Sequence, residues 1–311
     1  MQNLSGKSLL ALVALLGICS CVGCRQGSER RKIAMIVPSL ENPFFVDLTS
    51  SAKTALQGHT DITLIVQAPA TFTDVDQQVA LVENAITLQV AAICLDAADS
   101  KGVVPVLKKA QDAKIPVLLV DDTVDPGTAK NAGLTLPPHV GSDNELGGKL
   151  AGEFIAKQLN GHGEVAILEG VLGSDVANAR KRGFLSALAE YPGLRLVSSQ
   201  TANYSREQGL NVFQNMLLAN PKLAAVFAAN DDMALGAVTA LQESKIRRKI
   251  LIVGFDATKD GLAAVKSGQM AATVQQQPLE MGKTAMDLTM QLIQGQAVPQ
   301  ETLVPVKLIT Q

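Results

Sequence analysis

Residues 32–45 read KIAMIVPSLENPFF. Ile33 to Val37 form an unbroken apolar run, too short for a buried helix and apolar on both faces, as a strand covered on both sides must be. Pro38 and a polar turn stop it, and a helical period starts at about Phe44 and continues to Gln57. The turn carries two adjacent phenylalanines, in a chain of 311 residues with no Trp, two Tyr and eight Phe. What these two rings face at the end of a strand is the first question the sequence poses.

The same unit recurs. ITLIVQ (62–67) precedes a helix over about 75–88, AAICLD (91–96) precedes KGVVPVLKKAQDA (101–113), and IPVLLVD (115–121) closes the first series. After a loop containing LPPHVGSDN (136–144) the alternation restarts with a helix over about 145–159. GEVAIL (163–168), LRLVSSQ (194–200), LAAVFAAN (223–230), ILIVGFD (250–256) and QMAATVQQQ (269–277) then alternate with helices, and a long helix from Leu279 leads to ETLVPVKLITQ (301–311). Two successive β/α series of similar size predict an α/β protein of two doubly wound parallel-sheet lobes with a cleft between them.

Ligands of such sheets gather outside the carboxyl ends of the strands. The residues there are Ser39 to Phe45, Asp96, Asp121 and Asp122, Asp143, Gly173 to Asp175, Asn230 to Asp232, Asp256, and Gln275 to Gln277. Nearly every strand end carries Asp, Asn or Gln, planar groups suited to hydroxyls. The same residue types cap helices. SDNELGG and NDDMALG have the form of helix starts, which makes Asp143 and Asp232 structural.

Composition excludes several classes. The chain is 47% apolar and 18% charged, with net charge -2 and pI near 6.0, a globular balance without the basic stripe that nucleic-acid binding requires. No phosphate loop occurs; GHGEVA (161–166) precedes a strand where a dinucleotide loop would follow one. His59, His139 and His162 are scattered, no G-x-S-x-G elbow is present, and no D-x-[DN]-x-[DN]-G calcium run occurs. The expectation is a protein with no cofactor, no metal and no catalytic activity; acid/base chemistry by aspartates alone is the weaker alternative.

The N-terminus has a different character. Lys7 precedes LLALVALLGI (9–18) and CSCVGC (19–24), the layout of an export signal, and the apolar run is short for a permanent bilayer span. The segment resembles a bacterial lipoprotein signal, with Cys24 (in CVGC) or Cys21 (in ICSC) as the lipidated residue; soluble export is the alternative. Residues 1–24 are then the signal and 25–31 a tether. Cys94, alone in the body of the chain, reads as a small buried hydrophobe.

With the strand ends in view, the chain from about Lys32 to Gln311 resembles the type I periplasmic sugar-binding proteins of ABC importers, most closely the D-ribose-binding group. The matching stretches, in order, are NPFF, HVGSDNELGGKLAG, GLNVFQNML, AVFAANDDMALGA, VGFDAT and QMAATVQQQP. The resemblance implies a first lobe of residues 32–141 plus 277–305, a second of 142–276 plus 306–311, and a hinge of three crossings. It implies a monomer that closes over a sugar and delivers it to a permease in the periplasm. Asn42, Phe44 and Phe45 would bind and sandwich the ring, which answers the opening question. Tyr204 would stack from the other lobe, and Asp121, Asn230, Phe255, Asp256 and Gln276 would contact ligand.

Three positions depart from the ribose binders. Asp96 stands where they have Asn, Asp122 where they have Arg, and Asn178 where a second Arg contacts sugar, with Arg180 and Arg182 close by. Four neighbouring carboxylates (Asp96, Asp121, Asp122, Asp256) would raise one another's pKa unless a cation offsets them. Either an Arg from 180–182 reaches in, or Asp122 points outward, or the ligand is cationic. A pentose, a hexose, a polyol and an amino sugar all remain open. So does a sensing role, with the sugar signal handed to a chemoreceptor or sensor kinase. A lactose-repressor-type regulator would need a DNA-binding helix-turn-helix before the first strand, where only signal and tether stand.

Overall fold

The computed structural model describes residues 30–311, so the export signal, Cys21, Cys24 and most of the tether lie outside the described residues. The first series runs β1 (Arg31–Ile36), α1 (Pro43–Ala55), β2 (Ile62–Gln67), α2 (Val75–Thr87), β3 (Ala92–Leu95), α3 (Val104–Asp112), β4 (Val117–Val120), α4 (Pro126–Asn131) and β5 (His139–Ser142). Arg31, expected in the tether, already pairs with Ile62 and bonds Asp61 across the strand edge. The second series runs α5 (Asn144–Gln158), β6 (His162–Glu169), α6 (Asp175–Ala189), β7 (Gly193–Thr201), α7 (Arg206–Ala219), β8 (Leu223–Ala228), α8 (Asp231–Glu243), β9 (Leu251–Asp256), α9 (Lys259–Lys266) and β10 (Ala272–Gln275). Then come α10 (Pro278–Ile293), β11 (Glu301–Val304) and β12 (Lys307–Thr310).

Two six-stranded sheets result, ordered β11-β5-β4-β3-β1-β2 and β12-β10-β9-β8-β6-β7. Alternate residues of one strand feed different cores, which is why the strands are apolar throughout. In β1, Ala34 and Ile36 join the core under α2 and α3, whereas Met35 and the following Val37 join the one under α1 and α10. Cys94 is fully buried in the latter, where burial pushes its thiol pKa up.

The structure differs from the sequence reading in three further places. The LPPHVGSDN loop contains β5, which lies buried between β4 and β11. Two prolines and Gly141 leave Val140 as its one strong apolar signal, so pairing on both sides makes the strand. The short helix α4, capped by the Asp125 carboxylate accepting from the Thr128 N–H, was read as part of that loop.

The third difference is that β12 runs antiparallel to β10. The chain passes between the lobes three times: from β5 to α5, from β10 to α10, and from β11 to β12. Both sheets turn their carboxyl ends toward the cleft. A strand that leaves the first sheet there and enters the second two residues later must run against its new neighbours.

The helix α5 lies close along α6 because both carry glycine at the contact. A Cβ on Gly148 would run into the Arg180 carbonyl, and one on Gly183 into the Glu145 carbonyl. This contact fixes the helix that carries Arg180.

Candidate functional site in the interlobe cleft

The first wall begins at the turn quoted above. Asn42 caps α1, its Oδ1 accepting from the Phe44 N–H at 2.9 Å, and Pro43 occupies the first helical position. The cap uses the amide oxygen, and the buried side chain lines the cavity. Phe44 and Phe45, both buried, meet edge to face with centroids 5.1 Å apart. Phe45 continues to Phe72 at 5.6 Å, and Phe72 to Tyr204 of the second lobe at 5.6 Å. An aromatic chain therefore spans the cleft.

Phe72 did not figure among the sequence candidates. It stands five residues beyond the end of β2, in the loop APATFTD, and that strand end was not read for ligands although the same rule applies to it.

The polar floor comes from the other strand ends. Asp96 follows β3, and its Oδ2 is buried without a hydrogen-bond partner. Asp121 follows β4 with left-handed backbone (φ +62°), uncommon for non-glycine residues but one that Asp tolerates better than most. Its carbonyl is held by the ring of His139 from β5 at 3.0 Å, and its Oδ1 is likewise buried and unpartnered. His139, one of the three scattered histidines, thus supports a cleft residue.

On the second lobe Asn230 caps α8 through Oδ1 and donates from its amide to the Tyr204 carbonyl at 3.3 Å. Gln276 donates to Asp256 Oδ1 at 2.7 Å, while its own Oε1 and the Tyr204 hydroxyl have no partner. Asp143 and Asp232, read as structural, cap α5 and pair with Arg206 respectively.

Arg180 is the cation of the cleft. It is 3% exposed; its Nε donates to Asn144 Oδ1 at 2.8 Å and its guanidinium to the Ala229 carbonyl at 2.6 Å. It stands 3.8 Å from Asp256 Oδ1 and lies over the Phe255 ring, 3.8 Å from its centroid. Phe255 accordingly sits behind Arg180 and does not line the cavity. Asn178 is exposed on α6, which corrects its assignment to the site. Two residues apart on a helix means about 200° of rotation, so positions 178 and 180 cannot both face the cleft. Arg182 is exposed and pairs with Glu145.

Asp122, also assigned to ligand, has both carboxylate oxygens bound to the start of α6: Ser174 Oγ (2.6 Å) and the N–H groups of Asp175 (2.8 Å) and Val176 (3.0 Å).

Burial raises all four carboxyl pKa values. Asp121 is pushed up to about 6, and Asp122 and Asp256 to about 7. Asp96 is pushed well above the usual carboxylate range by burial and then by the charges of Asp121 and Asp122. Arg180 opposes the rise at Asp256 and Asp121. The space left between the closed lobes is small, about 30 Å³ for the centre of a water-sized sphere.

Two α/β lobes closing on a small cavity with aromatic walls and a floor of unpartnered acceptors define a cleft-type solute binder. The chain belongs to the family of the periplasmic binding protein domain, whose model matches residues 33–297; these are substrate-binding proteins rather than enzymes. It is 35% identical over 306 residues to the ribose import binding protein of Salmonella typhimurium, covering 97% of this chain and 98% of that one. It is 34% identical over 321 residues to the D-ribose/D-allose-binding protein of Pseudomonas aeruginosa, covering 100% and 99%. A periplasmic solute-binding protein of an ABC transporter from Actinobacillus succinogenes, solved with bound D-allose, superposes with a TM-score of 0.84 at 37% identity, covering 90% of this chain and 98% of that chain.

Proposed function

We propose that the protein captures a small neutral sugar in the interlobe cleft, outside the cytoplasmic membrane, and delivers it to an ABC importer. The observation that carries this reading is the set of buried polar atoms without partners: Asp96 Oδ2, Asp121 Oδ1, Gln276 Oε1 and the Tyr204 hydroxyl. Amide and ionised carboxylate oxygens accept, and the Asp96 carboxyl, its pKa raised well above the usual range by burial, can donate when protonated, so their partner must bring both donors and acceptors, as hydroxyls do. Leaving them unpaired in a buried site costs about 1–3 kcal/mol each. A monosaccharide supplies hydroxyl donors around its edge and C–H faces for Phe44, Phe45, Phe72 and Tyr204. Arg180 provides the positive charge the aspartates need, and the Asp122 charge is engaged at α6. The site therefore has no call for a cationic ligand, and D-ribose and D-allose, which name the relatives, are the first sugars to try.

A thermal-shift screen of residues 25–311 against D-ribose, D-allose, myo-inositol, D-glucosamine and spermidine tests this. Ligand that binds only the folded state raises the midpoint as its concentration passes the dissociation constant. A neutral sugar or polyol is expected to give the shift. A shift with glucosamine or spermidine alone, or with none of the five, overturns the neutral-sugar reading. Delivery to an importer predicts that deleting the gene abolishes uptake of the same sugar at low concentration; unchanged uptake with loss of a chemotactic or kinase response would place the protein in sensing.

The reading includes lipid anchoring through Cys24 or Cys21, supported by the apolar run and the cysteines after it. Fractionation should find the protein with membranes and release it when both cysteines become Ser; wild-type protein recovered wholly soluble would refute anchoring.

A further inference from the structure

Asp122 belongs to the first lobe, at the carboxyl end of β4, yet all three hydrogen bonds its carboxylate accepts come from the second. Its partners are the cap residue Ser174 and two first-turn N–H groups of α6, donors that no intrahelical carbonyl can satisfy. The helix end also carries partial positive charge, which a carboxylate complements. Two further bonds cross beside it: Thr123 Oγ1 donates to Asp175 Oδ2 at 2.7 Å, and the Ser100 N–H donates to the Gly173 carbonyl at 3.0 Å. Each runs directly from one lobe to the other, so each exists only while the lobes are together. Four residues after Val176, one helical turn on the same face, stands Arg180. The contact that joins the lobes therefore also holds the helix that carries the cleft cation against the first lobe.

We propose that Asp122 is a latch of the closed state. It is a positioning residue that clasps α6 across the cleft, sets how long any ligand is retained, and does not choose between sugars. A latch changes the closed fraction, and that fraction multiplies the affinity of every ligand by the same factor. A direct sugar contact would instead weigh on one hydroxyl and discriminate between epimers.

The test uses residues 25–311 carrying spin labels at Lys53→Cys and Lys266→Cys, exposed sites on α1 and α9. Cys94 is buried and does not compete for label. Interlobe distances are measured without sugar, and association and dissociation rates with D-ribose and D-allose. Asp122→Asn is expected to move the sugar-free distances toward the open form. It should raise both dissociation rates by the same factor, roughly ten- to a hundredfold for loss of charge-assisted bonds, with association within about threefold. Ser174→Ala added to it should cost little more, because the two residues act through one contact. Thr123→Val, which removes a single neighbouring bond, should shift both readouts less and in the same direction.

Unchanged distances with a loss confined to one of the two sugars would make Asp122 a ligand contact and overturn the proposal. So would full additivity with Ser174→Ala. The kinetic measurement rests on the sugar-binding reading; the distance measurement does not, so the two can fail separately.

Discussion

Replacing Arg180 by Met separates what the guanidinium does for the fold from what it does for the ligand. Met keeps most of the length of the stem and removes the charge. Lost are the bonds to Asn144 and to the Ala229 carbonyl and the stacking on Phe255, about 1–2 kcal/mol each. Also lost is the attraction to Asp256 at 3.8 Å, about 4 kcal/mol at an effective dielectric constant near 20. That last quantity does not fall wholly on stability. Asp256 already has its pKa raised to about 7 by burial, against the opposing pull of Arg180. Without Arg180 it rises further, and at pH 7 the carboxyl takes up a proton instead of remaining buried and unpaired, at little cost.

The variant should therefore lose about 3–6 kcal/mol of stability at pH 7. A carboxyl whose folded pKa lies above its unfolded value stabilises fully below the unfolded pKa, and that contribution is lost as pH rises through the folded one. The Tm of the variant should thus fall between pH 6 and pH 8 by more than that of the wild type. Binding has no such relief, since a neutral Asp256 and a missing five-donor cation both face the ligand. The dissociation constant is expected to rise more than a hundredfold, about 3 kcal/mol, by calorimetry with the sugar that gives the largest thermal shift. An affinity within threefold of wild type, or a pH slope of Tm no steeper than wild type, would refute the reasoning.

Other expectations concern single residues. Phe72→Ala should weaken sugar binding by about 1–2 kcal/mol with little change in Tm, because the ring is half-buried on a loop; calorimetry and a melting curve together decide it, and a large fall in Tm with unchanged affinity would make the ring core. Gly183→Ala should cost about 1–3 kcal/mol by forcing α6 off the Glu145 carbonyl and should weaken binding through displaced Arg180; denaturant midpoints of wild-type quality would contradict the packing. Asp231 is fully buried, accepts from Thr258 and Thr273, and is pushed up to about 6 by burial. Its folded pKa exceeds the unfolded value, so stability should decline between about pH 4 and pH 7, and Asp231→Asn should flatten that decline; an identical slope in the variant would exclude Asp231 as its source.

The α/β class and the two-lobed plan are legible along the chain, because both rest on local periodicity: short strands apolar on both faces and helices of regular period need only near neighbours to be recognised. The sequence also pointed to the strand ends as the site, since the carboxyl edge of a parallel sheet is where backbone turns leave side chains free. Whatever depends on a partner distant in the chain emerges only on folding. β5 exists because β4 and β11 pair with it from both sides, and β12 is antiparallel because of where the chain re-enters the second sheet. Asn178 and Arg180 differ in role through helix phase against α5, which sequence identity cannot weigh. Asp96, Asp121, Asp122 and Asp256 read alike along the chain. In space all four line the cavity, but only Asp122 has both carboxylate oxygens held by donors from the opposite lobe. Hydrogen-bond donors some fifty residues away set that difference, and residue type and local spacing do not encode it.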